Sequence, residues 1–546
     1  MNGLDGVDFP AMRRLRTASD SSLGRFKQVV RPGLPLAGLL LPALIFLSAC
    51  KDREQQAAEL AQQADLYAQA GNIVGAREAI RQAILLREDD PQFHRLQGAI
   101  ALRANDPVGA FRSFSTALEF DATDKVSLAY VANIGVQIGQ IDQADEAADR
   151  LLTLEPDARP ALQVKGLVAM TRRKYEEAAQ YADRLLASDP TDEGGAIIKA
   201  RSLALTGQPE AGLKLIEEAL KAAPESAALL ANKVNLYRYL RQPEPMADAL
   251  AALVRQPGGS PSLKLDQVNL LYKLGRKEAA RRTAVTFLED GTRNPDDYRK
   301  MLGLWWQYDR APIADAQARD ASKWQDPIAL VQTIRFLLLN GEKAAAEAMV
   351  ASAPASARDL LGGLKARLLF AQGRESEARA QVDALLKKDE NDVDALLLRS
   401  RFALADRKLG VALEAAQLAR TNDPLNPETY TVLAGIYRAQ GNELRARQIF
   451  EEGLKSVPQN FYILEAYTQY LHQLGDTGRA VSAARSFARD LPSSERAWSF
   501  LRTQCERAGD AGCLQTATTG LENAKTSYLV DDLPGTPADR GLFGRL

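Results

Sequence analysis

In the stretch "AGNIVGAREAI" and the residues after it, Ala76, Ile80 and Ala83 follow one another at spacings of four and three. That spacing predicts an amphipathic helix burying one face. Phe114 with Ala117 and Phe450 with Gly453 repeat the arrangement far along the chain. The pattern recurs on a beat. Taking Gly71 with Ala76 as the first mark, steps of 34 residues reach Asn105/Ala110, Gly139/Ala144, Arg173/Ala178, Gly207/Gly212, Arg241/Met246, Gly275/Ala280 and Asp309/Ala314. Two steps of 32 pass through Gly341/Ala346 to Gly373/Ala378, and the 34-residue step resumes at Arg407/Ala412, Gly441/Ala446, Gly475/Ala480 and Gly509/Leu514. Fourteen units of two helices each are predicted.

Each position on the beat has a physical job. Glycine ends the first helix of a unit in a left-handed conformation without strain. The small residue five places later lets the second helix approach the first closely. Prolines on the same beat, Pro156, Pro190 and Pro224 and later Pro424, Pro458 and Pro492, cannot continue a helix and so set the turn into the next unit. One such pair cannot bury its apolar face alone, whereas a stack of them can. The unit from Pro295 to Asp326 breaks the pattern: "MLGLWWQYDRAPIADAQARD" lacks the glycine and carries adjacent tryptophans. A distortion or a specialised rung is expected there, with Trp305 packing on its own second helix. "VDDLPGTPADRGLFGRL" at the end reads as a disordered tail, taken as residues 527–546.

Composition narrows the function more than the fold. Of 546 residues 25% are charged, with a net charge of -1, so no basic excess for nucleic acid exists. Three cysteines and two histidines leave little scope for zinc-ligand clusters or histidine catalysis. No GxSxG, phosphate-binding loop, HExxH or CxxC motif occurs, and the repeats leave almost no room for a catalytic site. The expectation is a protein that is not an enzyme and needs no cofactor or metal.

The Ala, large residue, Ala and Pro that recur through the units resemble the tetratricopeptide repeat, over residues 57 to 526. The resemblance implies an all-α, right-handed α-solenoid whose first helices line a partner-binding groove, through the second, fifth, ninth and twelfth residues of each unit. The ninth and twelfth sites then select Arg201, Arg238, Asn269, Tyr272, Trp306, Arg335, Arg367, Phe370, Arg401 and Arg438 as groove residues. Arg335, Arg367 and Arg401, in three consecutive units, form an expected cationic stripe for an acidic peptide or anionic polysaccharide, and Trp306 an aromatic anchor. The same arginines fit a merely solvated helix face equally well. The family's carboxylate clamp is missing, because Asn133, Asn235 and Asn269 follow Ala129, Ala231 and Leu265 instead of basic residues.

Ahead of the repeats, arginines and lysines between Arg13 and Arg31 precede an uncharged run from Leu34 to Ser48. That is a leader, residues 1–49, too short and too proline-broken for a membrane span. Leu47-Ser48-Ala49-Cys50 resembles the bacterial lipoprotein box, which implies acylation of Cys50, a short linker over residues 50–56 and anchoring to a membrane. An ordinary secretory leader, or a buried apolar segment with an incidental cysteine, fits the same residues. Lys51 follows the cysteine, which favours the outer over the inner membrane, with the repeats facing the periplasm. In that oxidising compartment Cys505 and Cys513, flanking the last predicted turn, can pair in a disulfide; two buried thiols are the alternative. Lipobox and repeats together resemble the repeat lipoproteins of exopolysaccharide export, including those beside PEP-CTERM sorting systems. The expected role is a scaffold for protein partners in an envelope machine. An assembly factor for outer-membrane proteins or pili, or a saccharide binder stacking sugars on Tyr272, Trp306 and Phe370, are the other readings.

Overall fold

The computed structural model describes residues 53–257, 260–291, 294–313 and 319–530. Residues 1–52, with the expected leader and Cys50, and residues 531–546 lie outside the described residues. Within them are 27 α-helices and no strand. Residues up to Asp89 form one compact unit and residues from Asp90 another. The first holds α1 (Arg53–Gln69) packed on α2 (Ile73–Leu86).

The second unit is a stack of helix pairs. It begins with α3 (Pro91–Arg103) and α4 (Pro107–Phe120), α5 (Lys125–Gln137) and α6 (Ile141–Leu154), and α7 (Arg159–Thr171) and α8 (Tyr175–Ser188). Then come α9 (Glu193–Leu205) and α10 (Pro209–Ala222), α11 (Ala227–Tyr239) and α12 (Pro243–Val254), and α13 (Pro261–Lys273) and α14 (Lys277–Asp290). Next stands α15 (Pro295–Tyr308), followed by α16 (Pro327–Leu339) with α17 (Lys343–Ser352) and α18 (Gly362–Ala371) with α19 (Glu375–Lys388). The stack ends with α20 (Val393–Ala405) and α21 (Leu409–Asn422), α22 (Pro427–Ala439) and α23 (Glu443–Ser456), α24 (Phe461–Gln473) and α25 (Thr477–Asp490), and α26 (Glu495–Ala508) and α27 (Ala511–Lys525).

Local chemistry explains the boundaries. Proline opens α3, α4, α10, α11's partner α12, α13, α15, α16 and α22, where its missing N–H costs no intrahelical bond. Asp106, Asp124, Asp192 and Asp392 cap their helices by accepting backbone N–H bonds. Every beat glycine takes positive φ, and so do the non-glycine beat residues Asn105, Arg173, Arg241 and Arg407. The small beat residues Ala110, Ala144, Ala178, Ala280, Ala346, Ala412, Ala446 and Ala480 are fully buried. At Gly212 the contact is closest: an added Cβ would lie 2.4 Å from the Ala200 carbonyl oxygen.

Asp309 is where the pattern fails. Its φ is -155°, so the chain leaves α15 extended, and the described residues 309–313 form no second helix. Arg281 donates to both Asp309 carboxylate oxygens, at 2.6 and 3.3 Å, holding that exit. Trp305 therefore has no second helix of its own to pack on among the described residues. It is fully buried against Phe336, 5.5 Å between ring centres, in a cluster that also takes in Ile313 and Trp324.

First helices stack on first helices, α5 on α7, α7 on α9, α18 on α20, α20 on α22 and α22 on α24, to make one inner face. Within residues 90–530 this stack curls far enough that α15 meets α24 and α26.

Candidate functional site

The inner face carries the predicted groove residues, and the structure sorts them into three groups. The cationic stripe of α16, α18 and α20 is closed by the protein's own carboxylates. Arg335 donates to Asp394 at 2.8 and 2.9 Å and to Asp423 at 2.8 Å. Arg367 reaches Asp394 at 2.8 Å and Glu428 at 2.6 Å, and Arg401 reaches the other oxygen of Glu428 at 2.5 Å. Asp394 and Glu428 are the second residues of α20 and α22, in the first helical turn, where the helix dipole favours an anion. Each thus ties arginines from preceding units to the start of a later helix.

These groups are enclosed: Asp394 is 3% exposed and Glu428 1%. Burial works against every charge, but it is outweighed. Arg335 and Arg367 hold the Asp394 carboxyl below its usual range, and the carboxylates in turn keep both guanidinium groups above theirs. Three guanidinium groups face three carboxylates, so the stripe offers a partner little net charge. The expectation that Arg335 and Arg367 bind an acidic partner is corrected accordingly: they are internal ties. The signal for Asp394 and Glu428 in the sequence is their place at the second site of a unit, one and two units after ninth-site arginines.

The second group is covered by the far end of the chain. Trp306 is only 5% exposed, packed against Phe336 and Tyr462 with ring centres 5.0 and 5.9 Å apart. Arg310 lies over its ring, and Arg310 and Arg496 share Glu465. Arg496 also donates to the Trp306 carbonyl. Tyr272 stacks on Tyr308 at 5.2 Å, and burial pushes its hydroxyl pKa up. Asn269, 3% exposed, donates to the Tyr528 carbonyl at 2.8 Å. Lys273 bonds the carbonyls of Ser493 and Ala524. Trp306 and Tyr272 are therefore no open aromatic anchors, and a sugar-stacking platform is not formed by them. The segment 527–530, read as the start of a disordered tail, is packed here, with Leu529 7% exposed.

The third group is still accessible. Phe370, 36% exposed, and Arg401 line a recess of about 180 Å³ with Leu338 and Leu398. Arg438 is exposed and donates to Gln473 at 2.9 Å. Arg238 is half-buried, and Arg201 donates to Asn232 at 2.6 Å, its pKa pushed down by burial. Away from this face, α23 and α25 border a larger groove of about 600 Å³, lined by Leu454, Tyr467, Arg479 and Phe487 among others. At the end of the stack Cys505 and Cys513 are joined in a disulfide, with Cα atoms 5.6 Å apart.

Among the described residues no three His, Cys, Asp or Glu side chains are placed to hold a metal ion. No described helix is long and apolar enough to cross a membrane.

The tetratricopeptide repeat family model matches residues 61–125, 132–193 and 364–427. Cellulose synthase operon protein C of Pseudomonas fluorescens is 22% identical over 361 residues, 65% of this chain. The chain spans only 27% of that relative's length. A tetratricopeptide repeat protein from Parabacteroides merdae is 18% identical with a TM-score of 0.38, covering 45% of this chain and 98% of its own. Pseudomonas aeruginosa pilF is also 18% identical, with a TM-score of 0.32 and coverages of 38% and 95%. Over those three segments the helix pairs match the tetratricopeptide repeat, and the remaining described helix pairs share their all-α arrangement.

Proposed function

We propose that this chain is a non-catalytic scaffold of the bacterial cell envelope, held to the outer membrane by an acylated Cys50 and facing the periplasm, where it organises proteins that assemble or export an exopolysaccharide. The observation that carries this reading is the 361-residue likeness to a protein of a cellulose synthase operon. The Leu47–Cys50 motif supports the proposed location. The accessible inner-face residues Phe370, Arg401 and Arg438 and the groove between α23 and α25 offer docking surface to protein partners.

The test is a deletion strain complemented by the wild-type chain or by Cys50→Ala. Loss of secreted polysaccharide on deletion, restored only by the acylatable form, is expected, together with a lipid-modified Cys50 in the mass spectrum of the envelope protein. Unchanged polysaccharide secretion in the deletion strain would remove the exopolysaccharide role. A native N-terminus upstream of Cys50 would remove the anchor.

A further inference from the structure

After α27 the described chain stays on the stack as far as Val530. The non-helical segment Thr526–Val530 crosses α13, some 260 residues earlier in sequence, and its main chain is held on both sides of one residue. Asn269 Nδ2 donates to the Tyr528 carbonyl at 2.8 Å, and the Val530 N–H donates to Asp266 Oδ1 at 2.8 Å. Asp266 and Asn269 are three apart on α13 and so share a helical face. The Asn269 amide is itself oriented, since its Oδ1 accepts from the Tyr308 hydroxyl at 3.0 Å. Ser493 Oγ completes the hold by donating to the Val530 carbonyl at 2.9 Å. Between the two clamped groups Leu529 is buried in the apolar cluster that includes Leu230, Val234, Tyr237, Leu250 and Leu270 of α11, α12 and α13.

This is the construction of a peptide-reading site: side-chain amide and carboxylate take main-chain groups, which any sequence offers, while one pocket selects a large apolar side chain. We propose that Asp266, Asn269 and the α11–α13 pocket form such a site, that Ser527–Val530 is a resident self-ligand, and that a segment of a partner protein with a large apolar residue between free main-chain groups takes its place. The proposal rests on the reading of the chain as an interaction scaffold. A tethered strap competes at an effective concentration of roughly millimolar, so an external segment with the same contacts binds only weakly until the strap is released.

The probe is the end-capped, fluorescein-labelled hexapeptide Lys525–Val530, read by fluorescence anisotropy. In the full chain, Leu529→Asp places a carboxylate in the apolar pocket and should eject the strap. The variant should bind the peptide at least about tenfold more tightly than the wild type does. Adding Asn269→Ala should cut that affinity about fivefold, the worth of one hydrogen bond. Equal binding, or none, by a wild type and a Leu529→Asp chain that both keep their helical circular dichroism overturns the proposal. If Leu529→Asp unfolds, hydrogen exchange of the unmodified chain decides. Residues 526–530 should then exchange faster when excess unlabelled hexapeptide is added, and unchanged exchange overturns the site. Such a failure leaves the envelope role untouched, because polysaccharide secretion and the state of Cys50 are read separately.

Discussion

Replacing Arg367 by methionine keeps most of the side chain's apolar stem and removes two of the ties that join α18 to α20 and α22. Asp394 loses one of its two arginine partners and Glu428 loses one of its two. Both carboxylates stay almost wholly out of water. Removing one member of a buried ion network costs about 3–5 kcal/mol, because the partner left behind is still desolvated. A second limit comes from protonation: a carboxylate of ordinary pKa near 4 can escape its charge at pH 7 for about 4 kcal/mol. Arg335 and Arg401 remain to share the load, which places the expected loss at the lower end, about 3 kcal/mol. Urea denaturation followed by circular dichroism measures it, with hydrogen exchange showing whether α16–α22 opens before the rest, since stacked repeats need not unfold as one. Adding Glu428→Gln should recover part of the loss, as the second change relieves the unpaired charge. If Arg367→Met instead melts like the wild type and loses a partner, the arginine belongs to an open groove and the assignment of an internal tie is wrong.

Trp306→Ala should cost about 3–5 kcal/mol, as for other buried large-to-small changes, and should loosen the contact of α15 with α24 and α26. Limited proteolysis after the substitution checks this, and undiminished resistance would count against the contact. Arg173 sits at φ 59°, where a side chain costs about 1–2 kcal/mol, so Arg173→Gly should raise stability by about 0.5–1 kcal/mol after the added chain entropy of glycine is subtracted. A lowered melting temperature would mean that the arginine side chain contributes more than its backbone costs. The Asp394 carboxyl has a folded pKa below its unfolded value, so its stabilisation is complete above about pH 4 and is lost as the pH falls through the folded value. Melting temperature measured against pH should therefore fall more steeply below about pH 4 in the wild type than in Asp394→Asn, and matching profiles would refute the coupling.

Much of the architecture was legible in the sequence because it depends on interactions a few residues apart. The left-handed turn at Gly71, Gly139 or Gly207 and the close helix contact at Ala110 or Ala144 are decided within a single unit, and repetition makes the signal plain. Even Asn105, Arg173, Arg241 and Arg407 could be placed in the left-handed turn from the beat alone. The irregular unit was visible too, although its form was not. That Asp309 leaves α15 extended depends on Arg281 reaching it from the preceding unit.

The state of the inner face was decided only by the tertiary structure. The period tells which side chains point inward, but small rotations between successive units add up along the stack, and their sum determines which distant positions meet. That sum brings Asp394 and Glu428 onto Arg335, Arg367 and Arg401, turning an apparent cationic stripe into a charge-balanced network from which only the Arg401 end stays accessible. It also carries α24, α26 and Tyr528 across to Trp306 and Asn269, covering residues that the repeat pattern presented as open. Curvature is a property of all the interfaces together, and no single unit's sequence encodes it.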